Sequence, residues 1–181
     1  MCGGAGTRLG GEVEKPLVEV SGTPMVDRVR AALAAGRVGT VHLAVSPRAP
    51  ATRDHLRAAG ARVVETPGDG YVADLDAALE RIGRPALTVA ADLPLLHAGA
   101  VDRVLDAHAA GSLTVAVPVD LKRRLGGSVG TRFEHDGRAL APAGVNVVGV
   151  AGTDEHVYET DDPRLAVNVN RPPDLWVAEA L

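Results

Sequence analysis

Short apolar runs alternate with stretches of helical periodicity along this chain. Residues 41–45, 61–64, 86–90, 113–117, 145–150 and 165–169 are aliphatic-rich runs a few residues long, the pattern of strands covered on both faces. Between them lie helices. Pro24 opens one with Met25, Val26, Val29 and Leu33 on a single face, ending near Gly36. A second spans about 51–59 and stops at Gly60. A third spans 71–82, with Val72, Leu75, Leu79 and Ile82 at helical spacing, and a fourth spans 98–110 before Gly111. The last spans 172–181 and starts on Pro172, where a missing N–H does no harm. This alternation predicts an α/β fold with a mostly parallel sheet and helices on both faces. Residues 120–143 are less regular and read as an insertion or active-site flap containing a hairpin at Asp136-Gly137. No repeat or linker divides the chain, so one domain over 1–181 is expected.

Composition narrows the picture. The chain has 181 residues, of which 46% are hydrophobic but only 2% aromatic, so the core must be built from Ala, Val and Leu. A formal charge of -4 argues against a nucleic-acid partner. Cys2 is the one cysteine, which excludes an internal disulfide and a cysteine metal cage. No apolar stretch reaches the roughly 18 residues of a membrane span. The opening residues carry no basic and apolar leader, so a cytoplasmic location is expected. Among 19 Lys+Arg, lysine stands only at Lys15 and Lys122. An arginine-preferring chain has thus placed a compact ammonium, suited to phosphates, inside its most unusual segment.

That segment is Gly3-Gly4-Ala5-Gly6-Thr7-Arg8-Leu9-Gly10-Gly11, followed by Glu14-Lys15-Pro16-Leu17. Glycines let backbone N–H groups approach an anion closely, and Arg8 and Lys15 add positive charge to the same loop. A nucleoside triphosphate needs both. The pattern is not a Walker loop, because no Lys-Ser or Lys-Thr follows at the required spacing. Nor is it a dinucleotide fingerprint, since Leu9 occupies the place of the third glycine.

Three further segments carry candidate chemistry. Asp92 follows an apolar strand directly, where carboxylates face the ligand crevice of a parallel sheet. It is read either as a ligand for Mg²⁺ or as the N-cap of the next turn. Asn168 and Asn170 share one face of an extended run. One of them supplies an oxygen to a metal or phosphate opposite Asp92, or both serve turn and cap chemistry. Gly144 permits a close backbone approach, and Asn146 is a polar residue inside an apolar run that requires a hydrogen-bond partner. Ser46 at a strand end and Gly70 in Gly68-Asp69-Gly70 are candidate borders of a base or ribose. Six histidines are scattered without metal-binding spacing. No nucleophile elbow is present. A phosphate that attacks the α-phosphorus of a nucleotide is already an anion, so positioning and charge neutralisation suffice.

Gly3 to Leu9 with Lys15-Pro16-Leu17 resembles the signature of nucleotidyltransferases with a Rossmann-like fold. The short gap from Arg8 to Lys15 is similar to the molybdenum-cofactor and cobalamin branch. Residues 143–148, 69–75, Asn168-Val169-Asn170 through Leu175, and 46–52 resemble the archaeal adenosylcobinamide-phosphate guanylyltransferases. The resemblance implies transfer of GMP from GTP to a corrinoid phosphate, with Mg²⁺ as cofactor. It implies that Gly3, Gly4, Gly6, Thr7, Arg8 and Lys15 hold the triphosphate. By the same matching, Gly144 lies near the nucleotide, Asn168 is important for activity and Asp92 binds the metal. Family members carry a full apolar strand before the glycine loop. Here the loop begins at residue 3, so a truncated first strand, or an earlier true start, is expected. A molybdenum-cofactor guanylyltransferase and a non-catalytic nucleotide-binding module are the competing readings.

Overall fold

The structure is a computed structural model that describes residues 1–2, 9, 13–150 and 154–181. A short hairpin of β1 (Glu19–Val20) and β2 (Thr23–Pro24) leads into α1 (Met25–Ala35). Then follow β3 (His42–Val45), α2 (Pro50–Ala58), β4 (Arg62–Glu65), α3 (Tyr71–Ile82), β5 (Ala86–Val89) and α4 (Ala98–Ala107). The second half contains β6 (Ser112–Pro118), α5 (Val119–Arg124), β7 (Phe133–His135), β8 (Arg138–Val148), β9 (Glu155–Glu159) and α6 (Pro172–Ala180).

β3 and β4 pair in parallel, as strand-helix-strand units do. The larger sheet has the order β5-β8-β6-β9 and is mixed rather than purely parallel. β8 runs antiparallel to both β5 and β6, and β9 is parallel to β6. The reversal comes from the β7–β8 hairpin. It turns at Asp136-Gly137, as expected, with φ of 47° and 75°, the left-handed pair that matches strand twist. The less regular segment thus contains a helix, α5, and the hairpin that feeds the longest strand.

Met1 and Cys2 link the two groups of strands. The Cys2 N–H donates to Ala44 O at 2.8 Å, and Cys2 bridges Val45 in parallel. The Met1 amine donates to Val89 O at 2.8 Å, and Ala91 N–H to Met1 O at 3.2 Å. Across this link the strands run β4-β3-(Met1-Cys2)-β5-β8-β6-β9.

The main core is aliphatic, as the composition requires. Val29, Val101 and Val104 from the helices pack with Val89, Leu113, Val115, Val117, Val145 and Val147 from the sheet. A second cluster joins Val26, Leu43, Val45 and Leu56 under Cys2. One expected strand is not a strand. In 165–169 the chain forms a 3-10 turn at Pro163–Ala166, because Pro163 fixes its first φ and the Asp162 carboxylate accepts from Arg164 N–H at 3.0 Å. Beyond it the chain is extended, and Val169 N–H donates to Asp92 O at 2.9 Å. Among the described residues no helix is long and apolar enough to cross a membrane.

Candidate active site

β5 ends at Val89, and the chain continues through Ala90 and Ala91 to Asp92. Asp92 stands beside a cleft of about 320 Å³ lined by Met1, Lys15, Ser46, Arg48, Gly68, Gly70, Tyr71, Asp74, Ala90 and Ala91 as well as Asp92 itself. The cleft opens at the carboxyl ends of β3, β4 and β5, where open α/β sheets take their ligands. Lys15, Ser46, Gly70 and Asp92, four residues singled out from the sequence, meet here.

Lys15 is delivered by a 3-10 turn at Lys15–Leu17 whose Pro16 is buried. The preceding Glu14 ties that turn to the amino end of α2. Its carboxylate accepts from Ala51 N–H at 2.9 Å, Thr52 N–H at 2.7 Å and Thr52 Oγ1 at 2.6 Å. Desolvation works against the charged carboxyl, but these bonds outweigh it and hold the Glu14 pKa below its ordinary value. Thus anchored, Lys15 places Nζ 2.5 Å from Asp92 Oδ2 and 2.8 Å from Asn170 Oδ1.

The opposite side of Asp92 faces Asn168. Asn168 Nδ2 donates to Asp92 Oδ1 at 3.3 Å and to Ala143 O at 2.9 Å. Its oxygen accepts from Lys122 Nζ at 3.0 Å, and the same ammonium donates to Ala166 O at 2.7 Å. The metal-facing oxygen expected of Asn168 is therefore turned to Lys122, and the amide group, a donor, is what meets Asp92. The assignment follows from the partners: an ammonium can only donate and a carbonyl can only accept. Lys122 is 4% exposed. Burial pushes its pKa down, and the carboxylates of Asp174 and Asp92 oppose that shift. Both lysines of the chain thus converge on one carboxylate. Lys122 escaped the sequence reading because Lys122-Arg123-Arg124 looks like a solvated basic turn. The scarcity of lysine, which the sequence reading applied only to Lys15, was the signal that could have found it.

Gly144 has the special backbone conformation expected of it, although it is not among the residues that line the cleft. It has φ of 83°, and a Cβ there would lie 3.1 Å from Ala90 Cβ and 3.2 Å from Asn168 Nδ2. Its carbonyl accepts from Ala90 N–H at 2.8 Å, so β8 supports the segment just before Asp92. Asn146 sits further along β8, opposite Thr88 and Thr114, and outside the residues that line the cleft. Its carbonyl accepts from Thr88 Oγ1 at 3.3 Å. On the α3 side, Asp74 is buried and accepts from Gly68 N–H at 2.6 Å, while Asp74 N–H donates to Gly70 O. Gly68 and Gly70, at φ of 85° and 115°, make the bend this brace requires. Ser46 is buried, with Oγ accepting from Arg48 N–H at 3.3 Å. Gly3, Gly4, Gly6, Thr7 and Arg8 lie outside the described residues.

Residues 1–127 match the family model for the MobA-like NTP transferase domain. The chain belongs to the MobA-like NTP transferase family. One curated member, the adenosylcobinamide-phosphate guanylyltransferase of Methanocaldococcus jannaschii, is 31% identical over 196 aligned positions that cover 100% of this chain and 94% of the relative. Solved structures share the fold of this NTP transferase at lower identity. A hypothetical transferase from Thermus thermophilus superposes with a TM-score of 0.67 at 20% identity, covering 89% of this chain and 90% of that one. A putative glucose-1-phosphate thymidylyltransferase from Bacillus anthracis gives a TM-score of 0.70 at 12% identity, covering 99% and 92%. A CMP:2-keto-3-deoxy-manno-octonic acid synthetase complexed with CTP gives 0.62 at 15%, covering 81% and 83%. These likenesses support the Rossmann-like α/β reading of the NTP transferase fold.

Proposed function

We propose that the protein transfers GMP from GTP to adenosylcobinamide phosphate, releasing pyrophosphate and forming adenosylcobinamide-GDP. The observation that carries this reading is the end-to-end similarity to a relative of that name, 31% identical across the whole chain. The cleft has the chemistry the reaction needs. An oxygen of the acceptor phosphate forms a bond to the α-phosphorus, and the bond from that phosphorus to the bridging oxygen of the β-phosphate breaks. The attacking oxygen is already an anion and the leaving pyrophosphate takes the electron pair, so no side chain has to remove a proton.

Charge is the main obstacle, and the residues address it. Lys15 lies where an incoming triphosphate competes with Asp92 for its ammonium. Arg8 and the glycines at 3, 4 and 6, with Thr7, complete the cradle by the family's pattern. Ser46 and Gly70 border the nucleoside from the β3 and α3 ends of the cleft. Gly144 keeps the space beside Asn168 free of a side chain. Asn146 acts from beneath, as part of the strand that carries Gly144.

The donor set suits Mg²⁺. Asp92 offers hard oxygens in the cleft and already faces a cation, Lys15. Mg²⁺ takes one or two carboxylates together with phosphate oxygens and water, and needs no cage of protein ligands. Asp92 would hold the ion, which when bound neutralises charge on the phosphates. Asn168 serves by keeping Asp92 in place.

The test is pyrophosphate release from GTP and Mg²⁺ with adenosylcobinamide phosphate as acceptor. Release that requires the corrinoid is expected. Release with a molybdopterin acceptor alone would reassign the substrate, and release with neither would overturn the reading.

A further inference from the structure

The Asp92 carboxylate is held from two sides, and the two holds differ in kind. Lys15 is at the cleft, with 17% of its side chain exposed, and reaches Asp92 directly. Lys122 is buried and reaches it only through Asn168. A buried ammonium costs several kcal/mol unless partners compensate it. For packing alone, an apolar side chain of similar volume would fill this space without that cost. What the ammonium does that an apolar group cannot is grip the Asn168 oxygen and orient both amide hydrogens, one toward Asp92 and one toward Ala143 O.

We propose that Lys122 is a positioning residue, which through Asn168 keeps the Asp92 carboxylate in register when the triphosphate draws Lys15 away. The inference rests on the proposed nucleotidyl transfer. On that reading, the Lys15 hold is released at each turnover because phosphate and carboxylate compete for one ammonium. The Lys122 hold persists because the ammonium is itself buried and its second partner, Ala166 O, belongs to a buried residue, so a ligand in the cleft does not compete for it. The carboxylate that meets the metal then does not have to find its rotamer again in every cycle.

The experiment compares the whole protein with Lys122→Met, Lys122→Gln, Asn168→Ala and the double variant Lys122→Met/Asn168→Ala. Calorimetry measures GTP binding with and without Mg²⁺, and initial rates give kcat and KM for GTP. For Lys122→Met the expected result is GTP binding without Mg²⁺ within about threefold of the parent. The gain in affinity conferred by Mg²⁺ should fall, the KM for GTP should rise in step with it, and kcat should drop about tenfold, as for other groups that orient a metal ligand. Lys122→Gln, which keeps an N–H donor, should lie between the two. The double variant should be no worse than Asn168→Ala, since both changes break one relay.

An undiminished Mg²⁺ gain and kcat in Lys122→Met overturns the proposal. So does multiplication of the two single losses in the double variant. If Lys122→Met does not fold, Lys122→Gln is judged by the same criteria; if neither folds, Lys122 serves the fold and the proposal fails. The parent protein separates this outcome from failure of the proposed function. Mg²⁺-dependent GTP binding without corrinoid turnover removes the acceptor but leaves the Lys122 comparison intact.

Discussion

Asp92 divides the site into two flanks with opposite construction. On the cleft flank, Lys15 sits on a short turn that is itself tied down by Glu14 at the start of α2. On the inner flank, Lys122 and Asn168 are tied to Ala166 O in the 3-10 turn at Pro163–Ala166 and to Ala143 O on β8. The first flank presents charge to solvent and is open to exchange. The second buries its ammonium behind a half-buried amide, away from the residues that line the cleft. On the proposed function, one carboxylate is both available to a ligand and fixed in direction: availability comes from the partner that leaves, direction from the partner that stays.

The comparison can be broken at its centre first. Asp92→Asn should lower turnover about 100- to 1,000-fold, because it removes the charge on which both flanks act. An Mg²⁺ titration checks the assignment, and an unaltered titration would place the ion elsewhere. Lys15→Ala comes next, with a loss of more than about tenfold in pyrophosphate release, since it removes one charge from the cradle. If the cleft flank is the exchangeable one, thermal stability should barely move. Gly144→Ala probes the inner flank and should destabilise the protein by about 2 kcal/mol in denaturant melts, because it forces a side chain into left-handed backbone against Ala90 and Asn168.

The smallest effect concerns acid. Glu14 has its folded-state pKa held below the ordinary 4.5 by bonds from Thr52 and Ala51. Its contribution is complete above 4.5 and is lost as pH falls through the lowered value. Melts from neutral to acid pH should therefore lose less stability in Glu14→Gln than in the parent.

Much of this arrangement was legible from residue order, and the gaps have physical reasons. The 3.6-residue period located α1 and α3, and glycine or proline boundaries located α2, α4 and α6. In α3 the helix turns Asp74, Ala78 and Leu79 inward and leaves Val72 and Ile82 of the expected apolar face exposed. β9 was not legible: Glu-His-Val-Tyr-Glu lies at the sheet edge, pairs only with β6 and needs no apolar run. Residues 165–169 alternate like a strand, yet Pro163 and Asp162 impose a turn first. In the site, Asp92 announced itself by its position after a strand, Lys15 by the glycine-rich segment it follows, and Gly144 as a glycine ahead of an apolar run. Asn168 was found, but not the direction of its amide, which depends on a lysine 46 residues away. Asn146, a polar residue in an apolar run, calls for a hydrogen-bond partner. Alternation puts it on the face of β8 opposite Val145 and Val147, in line with threonines of both neighbouring strands.

The scarcity of lysine gives the molecule an unusual chemical surface. Its side-chain primary amines are two, one at the cleft and one sealed behind Asn168. Reagents directed at lysine, or supports that couple through it, will therefore meet this protein at Lys15 in the cleft rather than on its outer faces. Immobilisation through lysine-directed chemistry would tether the protein by its cleft, and on the proposed function a bound nucleotide would act as the protecting group.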